Sequence, residues 1–197
     1  VVTKPTIALV KNSQSKKLIK PVRLKTGDTI ALVTPGSYIT DQEKEESINN
    51  LRSLGFNIKY TDRLMQKNGF FSATDEERAA DLNEMFERKD IQGIMCARGG
   101  YGCARILPFL DYELIEKNPK PLIGFSDVTA LQYAIFKNSG LITFHGPVSI
   151  STFSSFSNKN FRNVLLNPSD QLEIENSKTG NNFNPYGIKV ISDGKAE

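Results

Sequence analysis

Five short apolar runs, each followed by a polar turn and then, in most cases, by a stretch of helical period, constrain this chain more than any other feature. The runs are residues 29–34, 56–60, 91–96, 122–125 and 141–144. Each is too short for a helix and rich in β-branched or bulky residues, so each is expected to be a strand. The first, Thr29 to Val33, reads TIALV and closes at Pro35-Gly36-Ser37. Between the runs, apolar residues recur every three or four positions. Ile48, Leu51 and Leu54 mark a helix capped by Thr40 or Asp41, and Gly55 stops it. Thr74 to Glu77 fits a capping box, with Ala79, Ala80, Leu82, Met85 and Phe86 facing inward behind it. Further helices are expected near Ile106 and Leu107, over 111–116, over 127–138 and over 157–166. Repeated strand–helix alternation with short connections predicts an α/β fold, a parallel sheet with helices on both faces and right-handed crossovers.

In such sheets ligands bind beyond the carboxyl ends of the strands. Here those ends are Pro35-Gly36-Ser37, Arg98 to Gly102, Ser126-Asp127 and His145-Gly146, and they should converge on one edge. Ser126 follows an apolar run and a glycine and opens a helical pattern at Val128, Leu131, Ala134 and Ile135. Two readings stand. A serine that starts a helix is usually an N-cap, satisfying orphan donors. A serine at a strand-to-helix turn is also where hydrolases place a nucleophile, since unpaired N–H groups lie beside a developing anion. The familiar G-x-S-x-G elbow is incomplete, because Val128 stands where the second glycine would be.

The loop Gly99-Gly100-Tyr101-Gly102 admits three readings: a phosphate cradle, a tight turn that only glycine permits, or oxyanion donors beside Ser126. It is neither a dinucleotide fingerprint, since position 105 is Arg, nor a P-loop, since no Gly-Lys-Ser/Thr follows. Arg98 at its mouth is either a carboxylate clamp or simply solvated. His145 is the only histidine. No Asp or Glu lies between Asp127 and Asp170 to orient it, so it is expected to brace its turn at Gly146-Pro147 rather than to serve as a base. The carboxylates of 41–46 and 75–77 sit in helix first turns, where the dipole favours them, and are assigned no chemistry.

Composition excludes several classes. Hydrophobic content of 39% and charged content of 24% over 197 residues describe a globular protein. A net charge of +3 is too small to argue for nucleic acid, and Lys16, Lys17, Lys20, Arg23 and Lys25 read as a solvated cluster. Cys96 and Cys103 make neither a disulfide framework nor a metal site. No apolar run approaches the roughly 18 residues of a membrane helix. The expected organisation is an N-terminal tail or arm over 1–26, an α/β domain over 27–166, and a linker over 167–197 with short strands at 172–174 and 188–191.

Four ordered motifs carry a resemblance: GDTIALVTPGS from Gly27, ARGGYG from Ala97, GFSDVTAL from Gly124 and TFHGP from Thr143. Together, from about residue 21 onward, they resemble the N-terminal half of an LD-carboxypeptidase. That serine peptidase family also contains the microcin C immunity peptidases. The resemblance implies a flavodoxin- or Rossmann-like domain and a Ser-Glu-His triad with Ser126 as nucleophile. It implies oxyanion donors on the backbone of Asp127 and Gly100, with Gly99 and Arg98 at the substrate. It implies no metal or organic cofactor, and a murein peptide substrate cleaved before a terminal D-alanine. It implies no nucleic-acid or membrane partner, a possible homodimer, and a cytoplasmic location, or a periplasmic one if an export signal was removed. The family's Glu and His lie in a second, C-terminal domain, which is expected to be missing from these residues, so the fragment alone is expected to be inactive. Two alternatives are an immunity-type peptidase that cleaves peptidyl-nucleotides and a non-enzymatic module that binds a small anion at Gly99–Gly102.

Overall fold

The computed structural model describes residues 16–167. Five parallel strands form one sheet in the order β2-β1-β3-β4-β5: β1 Thr29–Val33, β2 Asn57–Lys59, β3 Gly93–Cys96, β4 Leu122–Gly124 and β5 Phe144–His145. This is the doubly wound flavodoxin-like order, whose direction of winding reverses between β1 and β3. The helices are α1 Asp41–Ser53, α2 Asp75–Glu87, α3 Tyr112–Lys117, α4 Thr129–Ser139 and α5 Ser155–Leu165.

The buried strands explain the two-sided core. Along β1 successive side chains point to opposite faces. Ala31 and Val33 join a cluster with α2, α3 and α4 through Leu82, Phe86, Ile115 and Ile135. Ile30 and Leu32 join the opposite cluster with α1 and α5 through Leu51, Leu54, Phe161 and Leu165. Both faces are covered, so an unbroken apolar run such as TIALV is what a central parallel strand requires.

Thr40 and Thr74 cap α1 and α2, and each completes a reciprocal box with Glu43 and Glu77. Each cap contributes about 1 kcal/mol. Of the inward-facing residues expected on α2, Ala80 is exposed. One residue turns a helix by 100°, so Ala80 leaves the stripe that Ala79, Leu82, Met85 and Phe86 occupy. The segment around Ile106 is a 3₁₀ helix, Cys103–Phe109, that contains Pro108. α5 starts earlier than expected, at Ser155, because Ser154 accepts the Ser157 N–H at 3.2 Å.

The fifth strand differs most from expectation. Only Phe144 and His145 pair with β4. Leu141 instead pairs with Ile19, through Ile19 N–H to Gly140 O and Ile142 N–H to Ile19 O, both 2.9 Å. Residues ahead of β1 therefore supply backbone partners that the sheet does not, and Leu24 is fully buried between β1 and α5. The strands expected at 172–174 and 188–191 lie outside the described residues.

Candidate active site

All four strand-end loops meet at the carboxyl edge of the sheet. The Ser37 N–H reaches Gly99 O at 3.3 Å across the β1/β3 crevice, and the Gly146 N–H reaches Gly124 O at 3.0 Å. Ser126 stands between these ties. Phe125 is extended (φ −148°, ψ −172°), and Ser126 then turns into the left-handed region with φ 65°. Among the described residues it is the only non-glycine with positive φ. A serine pays roughly 1–2 kcal/mol for that conformation, and its hydroxyl caps nothing. Neither the 3₁₀ turn Ser126–Val128 nor α4 behind it has a side-chain cap. The N-cap reading of Ser126 is thus corrected: the sharp turn sets Ser126 on the surface, at the start of the 3₁₀ turn and ahead of the α-helix.

The absence of a second elbow glycine also has a reason. A Cβ on Gly124 would stand 2.9 Å from Val128 Cγ1 and 3.3 Å from Cys96 Cβ. The space above the one glycine is filled by the fully buried Val128, which packs the turn down on β4.

Gly99 is the neighbour of Ser126 on the other side. A Cβ there would lie 3.1 Å from both Ser126 Cβ and the Asp127 nitrogen. Gly100 has φ +81°, and a Cβ on it would run into Ser37 Oγ. That hydroxyl is buried and, among the described residues, has no hydrogen-bond partner. The Gly100 and Asp127 N–H groups donate to no described group. An exposed hydroxyl with one unpaired backbone donor on the next residue, and a second on the glycine loop that packs against it at Gly99, supplies the kinds of group that acyl transfer needs at a developing oxyanion.

The remaining expected residues divide. Arg98 is partly exposed and donates to Glu43 Oε1 at 3.0 Å. Glu43 therefore does more than answer the helix dipole: one oxygen closes the cap of α1 and the other anchors Arg98. His145 is exposed and stands edge-on to Phe125, ring centroids 6.3 Å apart. The expectation that its ring braces the turn is corrected, since backbone Gly146 to Gly124 does so. Among the described residues the His145 ring makes no hydrogen bond to Ser126 or to a carboxylate, and no group of three potential metal ligands occurs. No described helix is long and apolar enough to cross a membrane.

Sequence reasoning missed Arg78. It is 2% exposed, and its guanidinium donates to Pro35 O, to Gly102 O at 3.0 Å and to Ala73 O at 3.3 Å. It also pairs with Asp75, which Arg105 engages at 2.9 Å and 3.0 Å. These contacts correct the assignment of Asp75 to the helix dipole alone. The Arg105 hydrogen bond, and then the charge of Arg78, hold the Asp75 carboxyl below its usual range. A signal was present: position 78 falls four and seven residues before Leu82 and Met85, on the buried stripe of α2. An arginine there must find partners. Cys96 and Cys103 are free and buried. Burial pushes the Cys96 thiol up to about 12, and Cys103 rises too, by burial first and then by the nearby Cys96 and Asp127.

The family model of the LD-carboxypeptidase N-terminal domain matches residues 30–146, more than half of the chain. The chain belongs to the LD-carboxypeptidase family. It is 40% identical over 129 residues to the probable murein peptide carboxypeptidase of Bacillus subtilis, covering 66% of this chain and 40% of that protein. It is also 40% identical over 134 residues to the microcin C7 self-immunity protein MccF of Escherichia coli, covering 66% and 39%. A solved structure of an MccF active-site mutant, in which a serine, an asparagine and a lysine are each changed to alanine, superposes with TM-score 0.69 at 32% identity. That match covers 74% of this chain and 46% of the other. The chain thus spans about 40% of the length of the curated relatives it matches. The LD-carboxypeptidase motifs at Gly27, Ala97 and Gly124 all fall at strand ends on one edge of the sheet, as their order along the chain implied.

Proposed function

We propose that this chain carries the nucleophile of a serine carboxypeptidase that hydrolyses an L,D-peptide bond and releases D-alanine from a murein tetrapeptide. The observation that carries the reading is Ser126 itself, an exposed, uncapped serine held at φ 65°, followed by the unpaired N–H of Asp127 and packed against Gly99 of the loop that bears the unpaired N–H of Gly100. In this reading Ser126 Oγ attacks the scissile carbonyl and the oxygen collects charge between those two donors. The amine of D-alanine leaves, and water then hydrolyses the acyl-enzyme. Arg98, with Gly99 beside it, faces the substrate. Support for a serine mechanism also comes from the relative whose active-site mutant loses a serine. A base and its carboxylate are required, and His145 is not placed for the role. The reading takes both from residues outside 16–167, and in it residues 16–167 alone would not hydrolyse substrate.

Identity to the murein peptidase and to the immunity protein is equal at 40%, so the deciding assay uses both substrate classes. The full-length protein is incubated with murein tetrapeptide and, separately, with a peptidyl-nucleotide, and released product is measured. D-alanine release is expected, with Ser126→Ala slowing it by more than about 10³-fold. Turnover of the nucleotide conjugate alone would move the assignment to the immunity branch. Full activity in Ser126→Ala would reject the serine mechanism.

A further inference from the structure

One peptide group of the glycine loop is gripped at both ends. The carbonyl of Gly102 accepts from Arg78 Nη1 at 3.0 Å, and from the Arg105 N–H at 3.1 Å. The N–H of the next residue, Cys103, donates to Asp127 Oδ2 at 2.8 Å. A cation thus sits at the negative end of this peptide dipole and an anion at its positive end. A peptide group carries about 3.5 D, so the two charges favour one orientation and oppose its reversal. The cation is sheltered, Arg78 being 2% exposed with its guanidinium 4.9 Å from the centre of the Phe71 ring, and Asp127 is half-buried. Gly102 has φ +120°, and a Cβ on it would stand 2.8 Å from Phe71 and 3.0 Å from Arg78.

We infer that Arg78 and the carboxylate of Asp127 are positioning residues that fix the Gly102–Cys103 peptide and thereby set Gly100 against Ser126. The inference rests on the serine-peptidase reading above. The far end of the loop is tied where the Ser37 N–H meets Gly99 O. Only Gly100 and Tyr101 lie between the two anchors, and Gly100 bears one of the unpaired donors. Asp127 bears the other on its own backbone, and its side chain reaches across to the loop. One residue therefore couples the two donors. A carboxylate beside a site where an oxyanion forms is otherwise unfavourable, because like charges repel. Its presence is explained by the N–H it holds.

The test measures two things in the full-length protein: steady-state kinetics on murein tetrapeptide, and amide hydrogen exchange at Cys103 and Gly100. Asp127→Ala should lower kcat by about 10²-fold, with KM nearly unchanged, as expected when a donor is displaced without loss of binding contacts. The Cys103 amide should lose protection. Asp127→Asn keeps an acceptor oxygen and should recover at least about tenfold of that loss. Arg78→Lys, which cannot reproduce the fork of donors, should fall between wild type and Asp127→Ala. Wild-type kcat and a protected Cys103 amide in Asp127→Ala would overturn the inference. If that variant does not fold, an Asn variant as slow as Ser126→Ala, or an unchanged Cys103 amide in Arg78→Lys, would overturn it instead. Failure of the peptidase reading would show separately, as absent turnover in wild type alongside an intact, Asp127-dependent protection of Cys103.

Discussion

Replacing Ser126 by glycine should make the protein more stable while removing its proposed nucleophile. The left-handed φ of 65° costs an L-residue about 1–2 kcal/mol and costs glycine nothing. Glycine also loosens the unfolded chain, which takes back about 0.4–1 kcal/mol. Little else changes, since Ser126 is exposed and its hydroxyl caps nothing. The net gain is about 0.5–1 kcal/mol, or about 1–4 °C in Tm for a chain of this size. The right reference is Ser126→Ala, which removes the same hydroxyl but keeps the Cβ and therefore the strain. Urea unfolding of the two variants, followed by far-ultraviolet circular dichroism, isolates the backbone contribution. The glycine variant should have the higher midpoint at equal slope. A glycine variant less stable than the alanine variant would show that the turn at Ser126 is not strained, and the structural case for a nucleophile would lose its main support.

Two further outcomes follow from the charges and thiols around the site. The Asp75 carboxyl titrates lower in the folded protein than in the unfolded chain, chiefly through Arg105. Its contribution is therefore fully present above the unfolded pKa of about 4 and is lost as pH falls through the folded value. The stability difference between Asp75→Asn and wild type at pH 6 should shrink as the pH falls below about 4, the unfolded pKa; a difference that stays constant as the pH falls would contradict the sign. Cys96 and Cys103, both with thiols raised by burial, should resist an aromatic disulfide reagent at pH 8 in the native protein and react fully in denaturant. Rapid native reaction of either would mean that the core beneath the site opens.

The local parts were legible in the amino-acid sequence. An apolar pentad between polar turns suits only a strand buried on both faces, and Thr-x-x-Glu before a helical stripe satisfies orphan N–H groups whatever the surroundings. Hence β1 and the starts of α1 and α2 appear where residues 29–33, Thr40 and Thr74 place them. The strand-end location of Gly99, Gly100 and Ser126 was legible for the same reason, because glycine-rich turns punctuate an alternating pattern. Tertiary structure decided what depends on partners distant in the chain. Whether a serine before a helix is a cap or sits exposed in a left-handed turn depends on Val128 filling the space over Gly124 and on Gly99 pressing against Ser126. The fifth strand shrank to two residues because Ile19, over a hundred positions away, took the hydrogen bonds of the segment around Leu141. Arg78 and Asp127 gained their roles from a single peptide group at Gly102–Cys103. Periodicity reports which face of an element is buried. It carries no information about which long-range charge or carbonyl lies there, because that depends on how separate elements pack in three dimensions.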